Sequence, residues 1–291
     1  MWRSNPAVPR VRQLRGVQVP TFIYGTAWKE DATERLTLLA LGHGFRGIDT
    51  ANQRKHYHEA AVGAALAKAG FTVPLRRKEV FLQSKFTFRA AQDHRLPYDP
   101  SAAVASQVKE SFASSLEHLG TDYLDSYLLH GPTRREGLTD EDFEAWRAME
   151  DLQRAGKALL IGVSNVTAAQ LEELHRGARV KPALVQNRCF ARPQADRAVR
   201  AFCNANGMLY QGFSLLTAVR PLLMHPSMGA LARKAGMTAE QAIFRFCLAQ
   251  GMVTLSGTSS EQHMEDDMRV YDRALPPEDV DTILTLMGLT A

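Results

Sequence analysis

Three apolar runs in this sequence end on an ionisable side chain: "RGIDT" on Asp49, "VFLQSK" on Lys85 and "SYLLHGP" on His130. The loop after the first, within "GIDTANQRKHYHEAAVG" (Gly47 to Gly63), adds a tyrosine, Tyr57, between His56 and His58. Taken singly, an aspartate opening a turn, a lysine capping a strand or a histidine at a core edge needs no chemistry to explain it. Gathered in one ring, an acid paired with a lysine beside a tyrosine stabilises charge developing on a phenolate. The phenol can then serve as a proton donor near neutral pH, in a place where perturbed pKa values are expected. His56 is the alternative donor on the same loop.

The elements that must gather these residues are legible as alternating short apolar runs and amphipathic segments. The strand candidates are Phe22–Tyr24, Phe45–Asp49, Val80–Lys85, Asp125–His130, Leu159–Ser164, Ala183–Gln186, Met208–Phe213 and Met252–Leu255. Helical patterns lie between them, as in Ser101–Leu119, where Val104, Val108, Phe112 and Leu116 make one apolar stripe. Others are Asp31–Leu41, Glu59–Ala69, Phe143–Ala155, Ala168–Arg176, Ala195–Ala205, Ala239–Ala249 and Ser260–Arg269, with a terminal helix in Leu275–Met287. Repeated strand–helix units predict an α/β fold, a (β/α)8 TIM barrel formed by residues 1–291 as one domain; an open doubly wound sheet is the competing connection order. In the barrel, chemistry sits at the carboxyl ends of the strands, which is where Asp49, Lys85 and His130 fall on three consecutive runs.

Composition narrows the function classes. Hydrophobic residues make up 45% and charged residues 23% of 291, the balance of a soluble globular protein. No run has the apolar length of a membrane span and the first fifteen residues lack a signal-peptide core, so a cytoplasmic protein is expected. The net charge of +4 comes from scattered Lys and Arg, which suits a phosphorylated ligand better than nucleic acid. Cys189, Cys203 and Cys247 are odd in number and lack ligand spacing, which predicts neither a disulfide framework nor a zinc site. His56 and His58 have no matching carboxylate cluster, so no metal is expected.

The motifs "YGTAW" (Tyr24–Trp28), "GIDTA", "VFLQSK", "SLEHLGTDYLDSYLLHGP" (Ser115–Pro132), "IGVSN" (Ile161–Asn165) and "GTSSEQHMEDDM" (Gly257–Met268) occur in one order over nearly the whole chain. In this the sequence resembles the aldo-keto reductases. The resemblance implies reduction of an aldehyde or ketone by a nicotinamide cofactor. It also implies a catalytic set of Tyr57 as general acid, Lys85 lowering its pKa, Asp49 holding Lys85 charged and His130 orienting the carbonyl. It further implies cofactor contacts from Gly25 and Thr26, from Ser164 and Asn165, from Gln186, from the stacking aromatic Phe213 with Ser214 and Leu216, and from Gly257, Thr258, Ser259, His263, Asp266 and Asp267. From the residues themselves, Ser164 can equally be read as a helix N-cap.

Gly257 and His263 stand where some relatives carry Lys and Arg to grip a 2′-phosphate, which weakens the preference for NADP(H); the family's habit and the overall basic charge still favour NADP(H), with NAD(H) possible. Gly131 follows His130 where an aromatic is common, opening that wall, and Trp28 and His56 join Gly131 as expected substrate contacts. The short segment after the last helix adds to the expectation of an open site. Against the family's spacing the tyrosine loop is about two residues longer, and counting back from Glu59 lands on His56 rather than Tyr57. A cofactor-binding sensor without turnover is a competing function on the same fold. A Schiff-base role for Lys85 is disfavoured, because pairing with Asp49 keeps the amine protonated.

Overall fold

The computed structural model describes residues 8–72, 75–189 and 193–289. The first two strands, β1 (Val11–Leu14) and β2 (Val17–Pro20), form an antiparallel hairpin. Eight parallel strands then close into a barrel: β3 (Phe22–Gly25), β4 (Gly47–Asp49), β5 (Phe81–Phe86), β6 (Leu124–Leu129), β7 (Ala158–Ser164), β8 (Leu184–Arg188), β9 (Leu209–Phe213) and β10 (Val253–Ser256). Neighbours in sequence are neighbours in the barrel, and β10 closes on β3 with Thr254 opposite Phe22. The fold is the (β/α)8 barrel expected, with each of the eight anticipated runs becoming one strand.

Strand periodicity sorts the side chains into two sets. Ile23, Phe81, Leu128, Leu160, Leu184, Leu209, Val253 and Leu255 form an apolar cluster with Leu14 and Val19 of the hairpin, which therefore plugs the floor of the barrel. Residues between them in sequence, such as Phe22, Tyr24, Leu82, Tyr127, Ile161 and Tyr210, join the larger cluster beneath the helices. The hairpin was not anticipated, because its strands are only four residues long. Its turn signal is nonetheless present in Arg15–Gly16, where both residues have positive φ (49° and 84°), the twist a two-residue hairpin turn requires.

The expected helices form, with shifted ends. The third begins at Val104 rather than Ser101, because the Asp99 carboxylate accepts hydrogen bonds from both the backbone N–H and the hydroxyl of Ser101 and holds a turn there. It stops at Gly120, whose φ of 62° lies in the left-handed region. Between β9 and the helix Ala239–Ala249, three short helices were not foreseen: Leu215–Ala218, Arg220–Leu223 and Pro226–Lys234. Pro221 and Pro226 interrupt the apolar periodicity there, and each proline sits in a first helical turn, where its missing N–H costs nothing. Cys189, Cys203 and Cys247 are all buried.

Candidate active site

The polar layer at the barrel's mouth begins one alternation above the apolar floor. Lys85 and Gln83 share a face of β5; Asp49 ends β4, and Gln186 and Gln211 stand on β8 and β9. The Lys85 ammonium is fully buried and donates to both carboxylate oxygens of Asp49 at 2.7 Å and to the Thr50 carbonyl at 2.8 Å. Gln83 Nε2 and Gln186 Nε2 donate to Asp49 Oδ1 at 2.7 and 3.0 Å, and both also reach Gln211 Oε1. Gln211 Nε2 returns a bond to Gln83 Oε1 at 3.1 Å. A buried ion pair is thus surrounded by amides that satisfy its remaining lone pairs, the condition under which burying two charges is tolerable. Gln83 and Gln211 were missed from sequence, although each lies two positions before a residue that was singled out, Lys85 and Phe213.

The long loop delivers the tyrosine. The Gln53 carbonyl accepts the backbone N–H groups of both His56 and Tyr57, at 3.1 and 3.0 Å, closing the extra turn. Buried Asn52 and Gln53 anchor it, Asn52 Nδ2 donating to the Ser111 carbonyl and Gln53 Nε2 to the Ala91 carbonyl. Tyr57 then packs with its ring centroid 5.2 Å from Lys85 Nζ and 5.9 Å from the His130 ring. His56 goes elsewhere: its ring stacks on Trp28 with centroids 3.9 Å apart, and its carbonyl accepts the Trp28 N–H at 2.7 Å. Trp28 holds a left-handed φ of 61° and is 68% exposed.

The Tyr57 phenol is pushed well above its ordinary range, by burial first and by the negative charge of Asp49 second. Since both Asp49 oxygens hold the ammonium, the two charges largely cancel at the phenol and burial decides. Burial also lowers Lys85, against the opposing pull of Asp49. His130 is held well below its usual value by burial, then by Lys85 and His56, so its imidazole is neutral. Its Nδ1 is 2.6 Å from the Thr87 hydroxyl, a partner the sequence did not suggest.

A cavity of ≈ 720 Å³ runs from this cluster along the carboxyl ends of the strands. Asp49, Tyr57 and His130 lie at one part of its wall, with Ser164, Asn165, Gln186, Phe213, Ser214 and Leu216. Gly25, Gly257, Thr258, His263, Asp266 and Asp267 line it as well, beside the short helix Glu261–Met268. Two expected contacts are not on its wall among the described residues: Thr26 is buried and gives its hydroxyl to the Asp49 carbonyl at 2.9 Å, and Ser259 faces solvent. Ser164 is not an N-cap, since its hydroxyl donates to the Gln186 carbonyl at 2.6 Å and Thr167 caps the following helix. Asn165, at φ 55°, donates its amide to the His130 carbonyl at 2.8 Å, tying the fourth and fifth barrel strands' ends together.

Lys29 and Arg188 also line the cavity and were not anticipated. The Lys29 ammonium donates to the Gly257 carbonyl, and a Cβ built on Gly257 would lie 3.8 Å from that nitrogen and 3.4 Å from the Gly25 carbonyl oxygen. A cation from the loop after β3 thus stands beside position 257. Asp267 is buried and accepts from the Ser256 hydroxyl at 2.5 Å; burial, partly offset by that bond, raises its carboxyl to about 7.

A second cavity of ≈ 410 Å³ shares Ala27, Trp28, Tyr57, His130 and Asn165 with the first. Gln53, His56, Phe88, Ala91 and Gly131 are on its wall, so the residues expected to meet substrate surround one space. Among the described residues no cluster of His, Cys, Asp and Glu could hold a metal ion, and no helix is long and apolar enough to cross a membrane.

Comparison with known proteins agrees with this geometry. The chain matches the family model described as the aldo/keto reductase family over residues 22–286. It is similar to the uncharacterized oxidoreductase YtbE of Bacillus subtilis, 31% identical over 270 residues, covering 92% of this chain and 89% of that protein. It is also similar to a glyoxal reductase of Bacillus subtilis, 31% identical over 275 residues, with 94% and 91% covered. An aldo/keto reductase structure from Brucella melitensis superposes with a TM-score of 0.80 at 28% identity, covering 96% of this chain and 99% of that one. An aldo-keto reductase complexed with NADPH gives 0.81 at 25% identity, with 98% and 89% covered.

Proposed function

Because the chain belongs to the aldo-keto reductase family, and so is an oxidoreductase of nicotinamide cofactors acting on small carbonyl compounds, we propose that Tyr57 is its proton donor and that NADP(H) is its preferred cofactor. One observation carries the first part: Tyr57, not His56, stands against both Lys85 and His130 where the two large cavities meet.

The residues present fit the cofactor. Phe213 offers a face for the nicotinamide, Asn165 and Gln186 offer amides for its carboxamide, and the bare backbone at Gly25 and Gly257 leaves room for a pyrophosphate beside Lys29. The bound cofactor supplies hydride to the carbonyl carbon. The protein's own part is proton transfer and charge stabilisation at the carbonyl oxygen. A phenol with a raised pKa remains loaded with its proton across the neutral range. As that proton passes to the substrate oxygen, the Lys85 charge near the ring stabilises the phenolate left behind. Neutral His130, fixed through Nδ1 by Thr87, keeps Nε2 free to donate to the same oxygen.

NADP(H) is supported by Lys29 and Arg188 on the cavity wall and by the NADPH complex of the related structure; Gly257 and His263 leave NAD(H) as the competitor. The test titrates NADPH and NADH separately by fluorescence quenching, then follows their oxidation with a panel of aldehydes and ketones. A tighter NADH complex overturns the cofactor choice, and no oxidation of either across the panel overturns the reductase reading.

A further inference from the structure

A third cavity, ≈ 310 Å³, lies beside the loop that carries Tyr57, and Tyr57 is the one residue on the walls of all three cavities described above. Its wall carries Arg54, Arg95 and His118 with a single carboxylate, Glu59. That carboxylate is already engaged: it accepts from the Ser84 hydroxyl and pairs with His118 Nδ1 at 3.4 Å, which raises the histidine's pKa. Arg95 is likewise held by Asp93. Arg54 is different. Among the described residues its half-buried guanidinium makes one long bond, 3.3 Å to the Tyr57 carbonyl, and no ion pair, although it lies close enough to His118 to oppose that residue's protonation. A guanidinium carries five N–H donors, and one facing a cavity with four of them unused is a receptor for an anionic oxygen group. Leu96, Pro97 and Ala60 add apolar wall, so the occupant has an apolar body as well as a charge.

We propose that this cavity binds a small organic carboxylate, separately from substrate and cofactor, and that its occupancy slows proton donation by Tyr57. An anion that draws the Arg54 guanidinium off the Tyr57 carbonyl loosens the turn that presents the phenol to Lys85 and His130, so proton donation slows. This second half rests on Tyr57 being the proton donor; binding itself does not.

The experiment uses benzoate, its neutral isostere benzamide and inorganic phosphate against the full chain saturated with NADPH, by isothermal titration calorimetry. Benzoate is expected to bind, benzamide not, and Arg54→Gln is expected to weaken benzoate by about tenfold, the worth of a charge-assisted bond. Leu96→Trp, which fills the cavity without changing charge, is expected to abolish binding while Tyr57→Phe retains it. Circular dichroism melts of each variant confirm the fold. Benzoate affinity unchanged in both Arg54→Gln and Leu96→Trp overturns the site. Phosphate binding as tightly as benzoate overturns the apolar-bodied ligand.

In turnover assays kcat should fall about threefold at saturating benzoate, without competition against the carbonyl substrate. Benzoate binding with kcat unchanged removes the coupling to Tyr57. A protein that binds benzoate as described yet reduces no carbonyl leaves the site standing and removes the reductase reading instead.

Discussion

Lys85 Nζ lies 5.2 Å from the centre of the Tyr57 ring, while both oxygens of Asp49 hold that same nitrogen at 2.7 Å. The lysine therefore faces the phenol as half of an ion pair rather than as a free charge. In the resting protein burial keeps the phenol protonated, and in the role proposed for Tyr57 the lysine acts when negative charge appears on the oxygen.

From this placement Tyr57→Phe should retain NADPH binding and lose about 100-fold or more in kcat, the range for removing a positioned general acid. His56→Ala should keep most of its turnover and change KM through the lost stack on Trp28. The reverse pattern in steady-state kinetics would make His56 the donor.

The Asp49–Lys85 pair should be visible in stability as well as in rate. Lys85→Met leaves a buried carboxylate facing two amides with no cation, a loss of about 3–5 kcal/mol in urea denaturation. Lys85→Met combined with Asp49→Asn should cost less than the sum of the single changes, because each single variant strands its partner. Additive losses would mean the pair is not coupled.

Gln211→Leu tests the amide network without touching the ion pair. It removes the acceptor shared by Gln83 and Gln186, and a stranded buried donor costs about 1–3 kcal/mol. The melting temperature should drop, with kcat falling further than KM rises if Asp49 loses its fixed orientation.

Gly63 ends the stretch on which Tyr57 lies, and a Cβ there would come 1.9 Å from the His118 carbonyl oxygen, a backbone atom. Gly63→Ala should push the helix Glu59–Thr72 away from the next helix and destabilise by about 1–3 kcal/mol or more. A melting temperature equal to wild type would refute the close approach.

Asp267 gives a pH signature of definite sign. Its folded pKa is raised from 3.8 to about 7, so the folded state holds the proton more tightly than the unfolded chain. Stability from this group is full below about pH 4 and is lost as pH rises through about 7, by up to about 4 kcal/mol. Asp267→Asn should remove that fall, seen as a flatter midpoint of denaturation across the window.

What the sequence determined and what it left to the tertiary structure divide along one physical line. Local pattern fixed the elements: alternation placed the eight strands, and the ionisable residues ending three of them announced a ring of charge at the barrel's mouth. It could not see Gln83 and Gln211 as partners, since their bond spans 128 positions and depends on barrel closure. It named Tyr57 with His56 as the alternative, but could not show where two side chains adjacent in the chain would point. Counting favoured the histidine; the turn closed on the Gln53 carbonyl sends the two rings to different partners. Lys29 shows the same division, because the cation that stands beside position 257 comes from a residue 228 positions away. Spacing along a chain records which backbone turns are possible, whereas the fields and contacts that select a proton donor depend on distances set only when the strands close on one another.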